Sequence, residues 1–348
     1  MTLVTAVDSW DGKGFTGPVV FAIDGDRLTR VEELTDEQTA DDRALLTMDG
    51  TAHLNSTAHI NGTVFPGFTD SHVHLGLIDP TRLVSGGIAR VVDLGSDPEQ
   101  VARWAASDAV DVEFAGAFLT AAGGYPVGRA WAPAASIREV MSARESAAAV
   151  DEMAAAGASV IKVVVNSTGP VWDERMLAAV VRHAHDAGLP VVAHAEGPGQ
   201  AMRAIRAGAD RLAHTPFDEL LSDDDVREAT ETSSWISTLD IHGWGEPTAE
   251  YAIALDNLSR FAAAGGHVLY GTDLGNGPLP VGVNTRELEA MVAADLSLDA
   301  IVTAIAPGPL QGRVSVIRGP VNTDRSVLAD WLSTATVHTV SDLEETFA

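Results

Sequence analysis

From residue 64 onward, short apolar runs alternate with alanine-rich amphipathic stretches, and the chain offers eight such runs: 64–69, 89–94, 112–119, 159–165, 190–193, 211–213, 235–239 and 268–271. Several are apolar at nearly every position rather than at every second one. That is the pattern of parallel strands buried on both faces. The stretches between them carry helical spacing, most clearly 138–156, 174–187 and 248–264, and 285–306 holds two more. Glycines at Ala156-Gly157-Ala158, Ala187-Gly188-Leu189 and Ala207-Gly208-Ala209 stand where a helix stops just before a strand begins. Eight strands alternating with helices is the count of a closed (β/α)8 barrel; an open doubly wound sheet is the competing arrangement.

Residues 1–63 lack a helical period. Residues 19–23 lead through the turn signal Asp24-Gly25-Asp26 into 27–31, and a second strand group is read at 44–48 before Asp49-Gly50. The tail from 314 to 348 is mixed and is expected to return to this β unit. The expected division is therefore 1–63 plus 307–348 as a small β domain and 64–306 as an α/β barrel.

Acidic residues number 49 against 22 basic ones, a formal net charge of −27. A surface this acidic repels phosphate backbones and anionic lipids, so neither nucleic acid nor membrane is an expected partner. No apolar run approaches the ~18 residues of a membrane span, and the N-terminus has no signal-peptide pattern, so a cytoplasmic location is expected. There is no cysteine. A thiol nucleophile is excluded, and a metal must be held by His, carboxylate or modified Lys. Of the 22 basic residues only Lys13 and Lys162 are lysine. A lysine retained in so arginine-biased a chain points to chemistry that arginine cannot perform.

Barrel chemistry sits at the C-terminal ends of the strands. The first run leads into Asp70-Ser71-His72-Val73-His74. In an extended chain i and i+2 project to one side, so His72 and His74 can grip one ion. His183 and His185 share the spacing but lie in a helical stretch, where i and i+2 diverge by roughly 200°; they read as a solvated face. Lys162 stands inside the apolar run Val160-Ile161-Lys162-Val163-Val164-Val165, where a charge is costly unless neutralised or used. It is either paired with a carboxylate, or snorkelling to the rim, or reactive: a neutral amine with CO2 gives a carbamate, an anionic oxygen ligand. His194 and His214 end the fifth and sixth runs, 20 residues apart, about one strand–helix unit. Asp273, in Gly271-Thr272-Asp273, ends the eighth; a carboxylate there can bind a metal and accept a proton. Four His, one Lys and one Asp thus fall on strands 1, 4, 5, 6 and 8.

The segment Val64-Phe65-Pro66-Gly67-Phe68-Thr69-Asp70-Ser71-His72-Val73-His74 resembles the opening signature of the amidohydrolase superfamily. Ile161-Lys162-Val163, Ala193-His194-Ala195, Ala207-Gly208-Ala209-Asp210-Arg211-Leu212-Ala213-His214 and Gly271-Thr272-Asp273 are similar to its imidazolonepropionase-like and metal-dependent dipeptidase (prolidase-like) branch. The resemblance implies a (β/α)8 TIM barrel with a small β-sandwich-like domain formed from both chain termini. It implies one or two divalent metal ions, usually zinc, and Lys162 points to the branch that holds two. His72, His74 and Asp273 would hold the more buried one, His194 and His214 the second, and Lys162, as a carbamate, would bridge them. Asp273 would shuttle the proton from a bridging hydroxide to the leaving amine. Many relatives carry Gly-Gly-His after strand 3, where this chain has Gly123-Gly124-Tyr125.

The strand-end loops are expected to line the pocket. They include Tyr125, Arg129 and Trp131 after strand 3, Trp172 after strand 4 and His242 after strand 7. Tyr125 or Arg129 would anchor a substrate group. His242 would contact the substrate carbonyl or carboxylate, with a loop histidine of no such role as the alternative. Asp70 and Asp93 are expected to orient ligands from behind. The expected activity is metal-dependent hydrolysis of an amide-type C–N bond in a small molecule: an N-acyl amino acid, a dipeptide or a cyclic amide. Deamination of an aminated heterocycle, ester or lactone hydrolysis, and a non-catalytic relative are the alternatives. Self-association into a homo-oligomer stays open.

Overall fold

The computed structural model describes residues 2–31 and 58–348. The strand read at 44–48, its turn, and His53 lie outside them. Four strands come first: Thr2–Ser9 (β1), Val19–Asp24 (β2), Arg27–Arg30 (β3) and Ala58–Pro66 (β4). The barrel strands follow: Thr69–Val73 (β5), Arg90–Asp93 (β6), Asp111–Phe114 (β7), Phe118–Thr120 (β8), Ile161–Asn166 (β10), Val191–Glu196 (β11), Arg211–Leu212 (β12), Ser234–Ile236 (β13) and His267–Leu269 (β14), with a short extra strand, Ile137–Glu139 (β9), beside β8. Arg313–Arg318 (β15) and Thr336–Thr339 (β16) close the series.

β1–β4 and the returning β15 and β16 form one sheet in the order β16-β15-β4-β1-β2-β3. The expected hairpin at Asp24-Gly25-Asp26 joins β2 to β3 with Asp24 opposite Arg27. The C-terminal helix Leu343–Phe347 packs Leu343 and Phe347 onto the apolar face of this sheet, against residues such as Val4, Ile60 and Val316.

The run at 64–69 is not one barrel strand. Residues 64–66 finish β4, paired to β15, and Pro66, which has no N–H, ends the strand. The barrel begins at Thr69. The run at 112–119 is also divided. β7 pairs with β6 and β8 with β10, and between them Gly116 takes φ 75°, a turn that a side chain would oppose. Counting β7 and β8 as one bent strand, eight parallel strands surround the axis. The ring closes between β14 and β5, where Ser71 N donates to Tyr270 O at 2.9 Å and His74 N to Leu274 O at 2.8 Å.

Helices Ala143–Ala156, Glu174–Asp186 and Ala249–Ala263 occupy the expected stretches, with Thr285–Ala293 and Leu298–Ile305 near the end of the barrel. Their starts are capped by side chains that accept orphan N–H groups, as Ser142 does from Glu145 and Thr248 from Tyr251. Val92, Ala115, Val160, Val192, Ala213, Ile236 and Leu269, from successive strands, meet in one cluster that plugs the barrel. A larger core fills the space between strands and helices. No helix among the described residues is long and apolar enough to cross a membrane.

Candidate metal centre

Alternation along the strands decides what faces the barrel axis. On β5, His72 and His74 emerge on one side, their ring centroids 5.2 Å apart. On β10 and β11, Lys162 is opposite Val192 and Val164 opposite His194, so Lys162 lies one layer below His194. The His214 ring stands 4.9 Å from that of His72 and 5.0 Å from that of His194. One ligand atom each from His72, His214 and Asp273 lies within 4.8 Å of the other two. All six expected residues line one cavity of about 430 Å³ at the C-terminal ends of the strands.

Each imidazole is fixed from behind. His72 Nδ1 donates to Ala213 O at 2.9 Å and His74 Nδ1 to Gly95 O at 3.2 Å. A carbonyl can only accept, so Nδ1 of each ring carries a proton and Nε2 is the nitrogen left to meet a metal. Burial, reinforced by the neighbouring Lys162 charge, holds His72 well below the ordinary histidine range; burial does the same to His214. His214 Nδ1 pairs with Thr238 Oγ1 at 3.0 Å, and its Nε2 faces His194 Nδ1 at 3.0 Å. His194 Nε2 is tied to Glu196 Oε2 at 3.2 Å, and Asn166 Nδ2 donates to the same oxygen at 2.6 Å.

The inward arrangement crowds acceptors onto one carboxylate. Nε2 of His72 and Nε2 of His74 both lie 3.1 Å from Asp273 Oδ1, and among the described residues that fully buried oxygen receives no hydrogen bond. Lone pairs turned on an acceptor-only oxygen repel it and strand a buried charge, and the nearby Lys162 Nζ reaches His72 Nε2, at 3.4 Å, rather than the carboxylate. A divalent cation between them removes both penalties, and the His–carboxylate donor set suits zinc. The residues fit a metal.

Lys162 is 1% exposed, and among the described residues no carboxylate forms an ion pair with it. Neither the paired nor the snorkelling reading describes it. Its Nζ is 3.4 Å from His72 Nε2, and burial, opposed by the charges of Asp273 and Asp93, brings its ammonium down to about 7.

Asp70 and Asp93 work on the backbone beside the ligands, not on the rings. Asp70 Oδ1 takes N–H bonds from His72 and Thr272, and its Oδ2 takes the Thr272 hydroxyl at 2.5 Å, clamping β5 to the chain after β14. Asp93 accepts from Leu75 N, Gly95 N and Ser96 Oγ. Asp273 itself is held at φ 56°, in the left-handed region, and its Oδ2 accepts from Asn276 Nδ2 at 2.9 Å. Gly271 is required by a close approach: a Cβ there would stand 2.3 Å from Ile236 Cγ2 and 3.2 Å from His72 Cβ.

The cavity wall corrects two loop expectations. Trp172 is buried behind it, its Nε1 donating to Val140 O at 2.8 Å. Arg129 stays outside, exposed, with its guanidinium 5.6 Å from the centroid of the Tyr125 ring. Tyr125 does line the cavity and stacks on His194, centroids 5.3 Å apart and planes 18° from parallel. His242 also lines it; its buried Nε2 has no partner, and burial lowers the ring to about 4, so it is neutral. His183 and His185 sit far from this chemistry, bonded to Ser146 and Asp210. Sequence reasoning passed over Asn166, Glu196, Thr238 and Asn276. The two-residue period that placed Lys162 and His194 inward also turns Asn166 and Glu196 inward; Thr238 and Asn276 carry no such signal.

A closed (β/α)8 barrel with buried His, Lys and Asp side chains gathered at its C-terminal end is the architecture of a metal-dependent hydrolase. Residues 63–264 match the amidohydrolase family, and the chain belongs to that family. Among solved structures it is similar to a Xaa-Pro dipeptidase with methionine bound in its active site (19% identity, 97% of this chain and 100% of that one, TM-score 0.70). It is likewise similar to the ochratoxinase of A. niger (18%, 97% and 94%, TM-score 0.74) and to phenylurea hydrolase B (14%, 97% and 96%, TM-score 0.71). At these identities the likeness concerns the fold. No curated protein matches the chain in sequence.

Proposed function

We propose that the chain hydrolyses an amide-type C–N bond of a small molecule with two divalent cations, zinc in the first instance. His72, His74 and Asp273 would hold one cation and His194 and His214 the other, with the carbamate of Lys162 as a further anionic oxygen ligand. The observation that carries this reading is the convergence of Nε2 of His72 and Nε2 of His74 on the buried Asp273 Oδ1, which accepts no hydrogen bond among the described residues. When bound, the cations supply a water nucleophile active at neutral pH and Lewis-acid polarisation of the scissile carbonyl.

The chain's own residues do the rest. The neutral Nζ of Lys162 forms an N–C bond to CO2 and releases a proton to water, leaving one negative charge on the carbamate oxygens. Asp273 accepts the proton of the attacking water and passes it to the departing nitrogen. Asn276 keeps one carboxylate oxygen oriented for that exchange. Glu196 and Asn166 fix the His194 ring, with Tyr125 lying on its face. His242 offers its unpaired nitrogen to a polar atom of the substrate. A net charge of −27 supports a small-molecule partner over nucleic acid.

The test is elemental analysis of the isolated protein with turnover of matched amide, ester and amino-heterocycle substrates. Two cations per chain and faster cleavage of the amide are expected. Ammonia release from the heterocycle alone would establish the deaminase alternative, and preference for the ester the esterase one. A protein that neither contains nor takes up divalent metal would overturn the reading.

A further inference from the structure

The cavity is unevenly furnished. Apart from the candidate ligands and three polar side chains, Glu196, His242 and Asn276, its wall is aromatic and apolar, with Phe118, Tyr125, Trp131, Phe217 and Trp244 its largest members. Leu77, Trp131 and Trp244 remain 40%, 37% and 44% exposed, so apolar surface continues from the floor out to the rim. Exposed apolar side chains gathered at the mouth of a cavity mark what enters it.

Charge tells the same story from the other side. Lys162, at the floor, is the one Arg or Lys on the cavity wall among the described residues. Arg129 is exposed and absent from the wall, its guanidinium set over the Tyr125 ring where its charge is offset by Glu196, and Arg286 is committed to Asp240, its Nε 2.9 Å from Oδ1. The acidic group that faces the cavity besides Asp273 is Glu196. A substrate carboxylate placed along this wall would leave water to meet aromatic rings and another carboxylate, with no guanidinium to pair with it. A buried charge left unpaired is strongly disfavoured.

We propose that this site selects uncharged aromatic amides and discriminates against substrates carrying a free carboxylate on the group that lies along the aromatic wall. The proposal rests on the amide-hydrolase reading above and narrows it away from dipeptides and N-acyl amino acids.

The test compares 4-methylacetanilide with 4-acetamidobenzoate, which differ by a methyl group against a carboxylate at the far end of the ring. For the metal-loaded protein as isolated, kcat/KM should favour the neutral compound by about 10-fold or more, the scale of one unsatisfied buried group. Binding of the two product amines, 4-methylaniline and 4-aminobenzoate, is measured alongside by calorimetry, a readout that needs no turnover. Tighter binding of 4-methylaniline supports the proposal even where neither amide is cleaved, and such a result would count against amide hydrolysis instead. Trp131→Ala should weaken binding of the neutral amine, and Glu196→Gln should narrow the gap between the two. Equal or tighter binding of 4-aminobenzoate, or no measurable binding of either amine, would overturn the proposal.

Discussion

Nζ of Lys162 and Nε2 of His72 lie 3.4 Å apart inside the barrel, on strands that are not neighbours in the sheet. An amine in that position serves as a bridge only after it has become an anion. Lys162→Ala should therefore lower the metal content from two cations per chain toward one and reduce kcat by more than about 100-fold, beyond the cost of a typical supporting contact. Lys162→Arg should do no better, because a guanidinium forms no carbamate. Full metal content with unchanged turnover in either variant would remove Lys162 from the centre.

Thr238 holds His214 from behind while its own backbone sits at φ 41°, a conformation that costs a β-branched residue energy. Thr238→Val removes the hydroxyl and leaves the shape. Metal affinity, read by competition with a chelator, should fall about 10–100-fold. Thr238→Ser should restore most of it, which a purely steric role for the side chain would not predict.

Glu287 is fully buried beneath the loop after β13, its Oε2 accepting from Asp240 N at 2.8 Å and its Oε1 without a partner. Burial, opposed by hydrogen bonds from residues 237–240, pushes its carboxyl up to about 7 from an ordinary 4.5. Below about 4.5 both states keep the proton and the contribution to stability is complete. Above it the unfolded chain ionises first, so stability declines until the folded carboxyl also titrates near 7. Relative to Glu287→Gln, the natural chain should lose up to about 3 kcal/mol between those values. Urea unfolding of both proteins across pH 4–8 checks this; parallel curves would refute it.

Gly271 leaves no room for a methyl group between Ile236 and His72. Gly271→Ala should cost about 1–3 kcal/mol of stability through overpacking. It should also weaken metal binding, because the displaced neighbour is a ligand-bearing residue. Thermal unfolding with and without added zinc separates the two effects.

The gathering of the six candidate ligands in one cavity was legible because it depends on two short-range rules. Period-two alternation places His72 with His74, and strand-end positions carry Lys162, His194, His214 and Asp273. Both rules act within a few residues and survive without tertiary information. The rest depends on contacts between distant segments. The division of the third strand turns on Gly116, whose absent side chain both permits φ 75° and leaves room for the distant Met153. The first run was read five residues too early, since its apolar character serves β4 and the barrel alike. Trp172 and Arg129 are aromatic and cationic residues on the expected loops, yet loop conformation turned one inward behind the wall and the other out to solvent. Thr238 has no signature beyond its place at the end of a strand.

The seam where β5 meets the chain beyond β14 divides His72 and His74 from Asp273. It joins the first turn of the cylinder to its last, and the Asp70–Thr272 clamp across it spans 202 residues of sequence. Such a joint closes the largest loop and depends on every strand between being in place. An ion held as proposed, between His72, His74 and Asp273, would act as a rivet through it. Stripping that ion should then loosen the hoop as a whole, and the proposed chemistry and the closure of the ring would be lost together.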